Sequence, residues 1–236
     1  MTLTLQEIRE ESTQVSTFVF TPDSPISYRA GQHLSIRLPH ENPDERGTIR
    51  SFSLSSSPTE EYLSITVRRG VSSFKKTLFS LPLGSTIEAR GPGGGFILRE
   101  EDLGHHVMIA GGIGITPFRS MLTNVCDSHL TMPITLLYSN KTPEEIVFKN
   151  YLDHFSAKNS QIKIIHTITR PEGAETVWNG RTGRIDETLI RQSSTDGDRY
   201  YVCGPLPFVE AMVNLLGTMG IPIDRIHYEK FTGYSS

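Results

Sequence analysis

Cysteine is nearly absent: Cys126 and Cys203 are the only two in 236 residues. Two thiols cannot build a disulfide framework or supply the four ligands of an iron–sulfur cluster, so any such centre is expected on a partner. Zinc is no better served. No His-x-x-x-His or paired-cysteine spacing occurs, and the adjacent His105 and His106 would face opposite ways in a strand. They read as surface or linker histidines, and no metal site is expected. No apolar run approaches the ~20 residues that a membrane helix needs. The opening Met1-Thr-Leu-Thr-Leu-Gln-Glu-Ile lacks a basic stretch followed by an apolar core. Charge of one sign is also missing: a net charge of −3 gives no general attraction to nucleic acid or to an anionic membrane. Neither partner is expected, and the chain is expected in the cytoplasm as a monomer or weak dimer. There is no internal repeat and no low-complexity segment.

With 36% hydrophobic residues and a mean hydropathy of −0.26, the chain is expected to be globular, and it is long enough for two domains with separate cores. Up to about residue 98 the hydrophobic period is mostly two. Leu34, Ile36 and Leu38 alternate with polar neighbours, as do Leu63, Ile65 and Val67, and 13–21 and 85–90 read similarly. A helix is expected from Ser73 to Leu81. Short strands with turn residues at this density predict a small antiparallel β-barrel over 1–100. From Gly104 onward apolar strands alternate with helices. Strands are expected at 107–110, 134–138, 162–167, 199–202 and 225–229. Helices are expected at 117–125, near 143–155, 186–191 and 207–219. This pattern predicts a doubly wound parallel α/β sheet over 101–236.

Three segments carry chemistry. Arg50-Ser-Phe-Ser-Leu-Ser55 offers a cation for a pyrophosphate, a flat ring and small hydroxyls, the requirements of a flavin. In a strand Arg50 and Phe52 share one face while Ser51 and Ser53 share the other, so the strand must bend or end near Ser53. Gly111-Gly-Ile-Gly-Ile-Thr-Pro117 lies between a strand and a helix. There glycines admit a tight turn and a close phosphate, Thr116 can cap the helix, and Pro117 suits its first turn. Proline stands where the dinucleotide fingerprint has its third glycine, and a plain connecting turn is the alternative. Cys203-Gly204-Pro205 follows the strand at 199–202, which aims Cys203 at the carboxyl end of the sheet where ligands gather. Simple packing of a buried thiol is the other reading.

Arg-x-(Tyr or Phe)-Ser-x-Ser, Gly-Gly-x-Gly-x-x-Pro and Cys-Gly-Pro, in this order over nearly the whole chain, resemble the ferredoxin–NADP reductase superfamily. The resemblance implies an FAD-binding barrel followed by an NAD(P)-binding domain. It implies that Arg50 pairs with the FAD pyrophosphate, Phe52 packs on the isoalloxazine, and Ser51 and Ser53 line the flavin, with Ser53 near N5. Gly70-Val-Ser72-Ser73 matches the family's Gly-x-x-Ser element at a helix start, and Val67 and Arg68 join this cofactor set. Gly111, Gly112, Gly114, Ile115, Thr116, Cys203, Gly204 and Pro205 would then contact the nicotinamide nucleotide. Phe52 stands where many relatives have Tyr. Phe231 or Tyr234 could cover the flavin, with Phe231 preferred. Glu229 matches an acidic residue beside the nicotinamide, a surface carboxylate being the alternative. With Ser53 and Cys203 it completes the catalytic candidates. For the donor, Ser139, Lys141 and Arg170 suit a 2′-phosphate while Glu144 and Glu145 oppose it, leaving NADH or NADPH.

The resemblance thus implies an FAD-dependent NAD(P)H oxidoreductase. Its acceptor would be a redox partner protein such as a ferredoxin, flavodoxin or haem protein, or a small electron acceptor. A reductase that releases flavin as a substrate is a near rival, and an electron-transfer subunit of a larger assembly is a more distant one. The cysteine cluster that follows this architecture in the dihydroorotate dehydrogenase subunit does not occur in this sequence. Lys75, Lys76, Arg68 and Arg69 read either as an acceptor surface or as a solvated face.

Overall fold

The computed structural model describes residues 1–99, 104–172 and 174–232. They form two units, Met1–Leu98 with Arg119–Asn124, and Arg99–Phe118 with Val125–Ser236.

The first unit is built from β1 (Thr2–Ser12), β2 (Val15–Pro22), β3 (His33–Arg37), β4 (Ile49–Ser53), β5 (Leu63–Arg68), α1 (Ser73–Phe79) and β6 (Thr86–Gly93). Its strands run β4-β3-β6-β1-β2-β5 in antiparallel ladders, and a bridge between Leu54 and Ile65 joins the end of β4 to β5. The alternating apolar residues meet inside: Leu3, Leu5, Phe18, Phe20, Leu34, Ile36, Ile65 and Val67 form one core. Helix α1 adds Phe74 and Leu78, one turn apart and both fully buried. Each such side chain contributes about 1.5–3 kcal/mol on burial. β1 lies outside the strands expected from alternation. Only Leu3 and Leu5 point inward before the strand turns exposed, so the period-two signal is too short to read.

A polar layer backs the exit of β4. Ser55, Ser56, Ser57, Ser64, Thr66 and Thr17 are all nearly inaccessible, and all but Ser57 hydrogen-bond in series, with Ser55 Oγ 2.9 Å from Ser64 Oγ and accepting from Thr66 at 2.9 Å. Tyr28 Oη meets Ser56 Oγ at 3.0 Å. Arg119 clasps Glu60 with both terminal nitrogens, the Nη2–Oε1 bond being 2.8 Å, and donates to the Ser55 carbonyl at 2.9 Å. Ser120 donates to the Ser56 carbonyl, and Glu60 also accepts from Ser57 N–H and Tyr62 Oη. A buried donor or acceptor left unpaired costs about 1–3 kcal/mol, which is why this layer is so fully connected.

The second unit contains β7 (His106–Gly111), a 3₁₀ turn at Gly112–Ile115, the two ends of α2 (Thr116–Asp127, whose Arg119–Asn124 belong to the first unit), β8 (Ile134–Asn140), α3 (Lys149–Lys158), β9 (Ile162–Ile168), β10 (Arg181–Thr182), α4 (Glu187–Gln192), β11 (Arg199–Pro205), α5 (Leu206–Thr218) and β12 (Ile226–Phe231). All ladders are parallel in the order β10-β9-β8-β7-β11-β12. The chain leaves β7 to one side and returns to β11 on the other, which makes β7/β11 the switch point of the sheet. Val107, Ile109, Tyr200 and Val202 pack under Leu189, Ile190, Val209, Met212 and Leu216. Near 143–155 the expected helix is broken. Pro143–Glu145 is a 3₁₀ turn and Phe148 adopts φ 61°, so α3 begins only at Lys149. His105 and His106 are not surface histidines. His106 is fully buried and stacks on Tyr201 at 5.8 Å, and His105 Nδ1 lies 2.7 Å from the buried Asp198 carboxylate. No helix among the described residues is long and apolar enough to cross a membrane.

Burial alone would raise the Glu60 carboxyl, but the hydrogen bonds and charge of Arg119 outweigh it and hold the group below its ordinary value. A depressed carboxylate stabilises the fold above its unfolded pKa of about 4.3, and the contribution disappears as pH falls through the folded value. Glu60→Gln is expected to cost about 3–5 kcal/mol at pH 7 by stranding Arg119, and to flatten the loss of stability below pH 4.3. Urea melts at pH 7 and pH 4 measure both, and unchanged stability at pH 7 would contradict the assignment.

Candidate cofactor-binding site

β4 ends at Ser53, as its mixed chemistry requires, and its two faces are those expected from strand alternation. Arg50 and Phe52 pair with Ile36 and Leu34, while Ser51 and Ser53 pair with Ser35 and His33. Phe52 is half-buried and leans on Phe74, ring centroids 5.9 Å apart. Ser51 Oγ is 2.9 Å from Ser35 Oγ, and Ser53 is 5% exposed. His33, which the sequence does not single out, sits opposite Ser53 and against Gly94, with burial lowering its pKa.

Arg50 is 7% exposed and lies over the Phe74 ring at 5.2 Å. Its Nη1 donates to the carbonyls of Arg46, Gly47 and Ile49, and its Nη2 to both Asp44 carboxylate oxygens at 2.5 and 2.7 Å. Beside it the chain gathers further cations. Lys75 is half-buried, and burial followed by the charges of Arg68 and Arg46 lowers its ammonium pKa. Burial is the larger cause and the two arginine charges add to it, so the three cations make a corner suited to a diphosphate. Lys75 is therefore no member of a solvated face. Gly70 keeps the approach open, since a methyl there would lie 3.0 Å from the Lys75 stem. Ser72 caps α1 by accepting from Lys75 N–H at 3.3 Å, and Ser73 Oγ donates to the Asn42 carbonyl at 3.0 Å. Val67 faces inward on β5 and is buried. The donor set fits an FAD diphosphate beside an aromatic ring.

In the second unit the two glycine motifs are packed on each other. A Cβ on Gly114 would run into the Cys203 carbonyl and come within 2.6 Å of Gly204 Cα, and one on Gly111 would meet the Phe208 ring at 2.7 Å. Gly112 turns the chain with φ 51°. Thr116 does not cap α2. It is already helical and donates back to the Ile113 carbonyl at 3.2 Å, while Ile115 is buried. Cys203 is likewise not aimed at an open cleft. The strand continues through Pro205, pairing Cys203 with Ala110 and Glu229, and the residue has no exposed surface. Burial, then the Glu229 charge, push the thiol well above its ordinary value, so it stays protonated. Glu229 itself is half-buried, and Phe231 pairs with Pro205 at the end of β12. Tyr234 lies outside the described residues.

At the end of β8, Ser139 pairs with both Gly111 and Thr167. Lys141 and Arg170 are exposed and joined by a backbone bond, Arg170 N–H to Lys141 carbonyl at 2.8 Å. Glu144 accepts from Thr176 N–H at 2.6 Å. Its own backbone N–H, the Thr142 hydroxyl and Thr176 bring its pKa down to about 2. That carboxylate is thus engaged within the loop. Among the described residues no His, Cys, Asp and Glu cluster could hold a metal ion.

The comparisons with known proteins match both halves. Residues 2–98 match the oxidoreductase FAD-binding domain family and residues 108–214 the oxidoreductase NAD-binding domain family. A nitrate reductase [NADPH] of Emericella nidulans is 33% identical over 93% of this chain and 28% of its own length. A flavohemoprotein of Bacillus subtilis is 31% identical over 94% of this chain and 56% of its own. The chain therefore spans about a quarter to about half of these curated relatives. The crystal structure of a ferredoxin NADP+ reductase from Neisseria gonorrhoeae, with bound FAD and NADP, shares the fold at a TM-score of 0.79 and 20% identity, covering 98% of each chain. With an FAD-binding domain and then an NAD-binding domain matched in sequence, and that fold followed from end to end, the chain belongs to the ferredoxin–NADP reductase superfamily.

Proposed function

We propose that this chain is an FAD-dependent NAD(P)H oxidoreductase that passes electrons from a reduced nicotinamide to a separate redox carrier. The electropositive corner of Lys75, Arg68 and Arg46 beside Arg50 and Phe52 carries this reading, because it supplies diphosphate charge and a stacking ring together. In it the corner and Arg50 hold the FAD diphosphate, Ser72 and Ser73 keep the start of α1 in place, and Phe52 flanks the ring. Ser53, with Ser51 alongside, orients the flavin edge near N5. Bound FAD supplies a centre that takes a hydride and can release electrons singly.

On the nucleotide side, Gly111, Gly112 and Gly114 bring bare backbone to the nucleotide phosphates, with Ile115 and Thr116 behind them. Gly204, packed against Gly111 and Gly114, and Pro205 end β11 beside this turn, and Cys203 acts as neutral packing rather than as a proton carrier. Glu229 is proposed to lie at the nicotinamide end. With Glu144 bound to Thr176, the cations Lys141 and Arg170 and the Ser139 hydroxyl favour a 2′-phosphate and hence NADPH. The flavohemoprotein relative is named for flavin and haem together, which supports a haem protein as the acceptor.

Anaerobic titration of the FAD-loaded protein is expected to bleach the flavin with NADPH at lower concentration than with NADH. Absence of bleaching by either nucleotide would overturn the proposal. Gly114→Ala is expected to cost at least about 1–3 kcal/mol by overpacking against Cys203 and to weaken NADPH binding tenfold or more, while FAD affinity stays unchanged. Equilibrium binding of each nucleotide to the variant checks this, and normal NADPH affinity would count against the glycine turn as its site.

A further inference from the structure

We propose that Asp44 competes with the flavin diphosphate for Arg50, so that this chain holds FAD loosely enough to exchange it. The inference rests on the reading above that Arg50 meets the diphosphate.

The Arg50 guanidinium is committed within its own loop. Three backbone carbonyls take Nη1, and the Asp44 carboxylate takes Nη2 through both oxygens. Such an ion pair is close to neutral as a unit, and its carboxylate repels any phosphate that approaches the same cation. The loop is built to keep Asp44 there. Asp44 Oδ1 accepts from Arg46 N–H at 2.9 Å and its carbonyl from Gly47 N–H at 2.8 Å, which folds 44–47 into a turn. Ser73 holds the same loop at the start of α1 through the Asn42 carbonyl, beside the corner formed by Lys75, Arg68 and Arg46. The Asp44 carboxyl is held below its ordinary value. Its desolvation raises it, but the Arg50 hydrogen bonds, the Arg46 N–H and both arginine charges outweigh that.

The remaining cations draw the diphosphate in while Asp44 resists its capture by Arg50, so affinity is set by the balance between them. Asparagine at position 44 keeps the oxygen that receives Arg46 N–H but removes the negative charge.

The test measures equilibrium affinity for FAD and for riboflavin, which lacks the diphosphate, using flavin fluorescence on the purified chain. Asp44→Asn is expected to bind FAD about tenfold more tightly, equivalent to about 1.4 kcal/mol, with riboflavin affinity unchanged. Arg50→Ala is expected to weaken FAD. If Arg50→Ala weakens FAD but Asp44→Asn leaves it unchanged or weaker, Asp44 orients Arg50 and the competition is refuted. If Arg50→Ala leaves FAD affinity untouched, the diphosphate role of Arg50 fails and the competition fails with it. Asp44→Ser, which also preserves a turn acceptor without charge, must move affinity in the same direction as Asp44→Asn.

Discussion

Backbone rather than side chains sets the separation of the two ligand-type turns in the parallel sheet. Gly114 sits so close to the Cys203 carbonyl and Gly204 that no Cβ fits between them. That contact joins the loop after β7 to the end of β11 at the switch point of the strand order. It explains several features together. Cys203 is sealed in and stays a thiol, and β11 carries on to Pro205 beside β12. The loop that would face a nucleotide is peptide backbone, whose N–H groups suit phosphate oxygens.

The first unit adds a different feature, a half-buried Lys75 ammonium that also feels the charges of Arg68 and Arg46. Lys75, Arg68 and Arg46 are brought together next to Arg50 and Phe52, and a diphosphate is the kind of ligand that such cations attract. Behind β4 the serine and threonine layer, pinned by Arg119 and Glu60, fixes the strand exit from the other side. Charge that attracts and a polar layer that holds still are complementary. In the proposed site one would supply affinity, while the other would limit where the ring beside Ser53 can lie.

The elements most legible in the sequence are those whose signal is local. Alternation at Leu34, Ile36 and Leu38 gives β3, and alternation also gives the faces of β4. Glycines between an apolar strand and a helix mark the turn after β7. What escaped has a distant or cryptic cause. Glu60 and Arg119 are 59 residues apart, with no pattern linking them. The Asp44–Arg50 pair depends on the path of a loop without regular structure. Gly204 and Pro205 look like the end of a strand, yet pairing with Lys230 and Phe231 carries β11 through them, which buries Cys203. Thr116 resembles a cap in sequence, but the 3₁₀ turn before it has already begun the helix.

In the proposed reaction, reducing equivalents pass as hydride from the nicotinamide directly to flavin held by the first unit. Anaerobic stopped-flow bleaching of the FAD-loaded chain with nicotinamide deuterated at the transferring C4 position tests it most directly. Slower bleaching than with the protonated nucleotide, together with deuterium loss from that position, is the predicted result. Equal bleaching rates with the label retained on the oxidised nucleotide would contradict it.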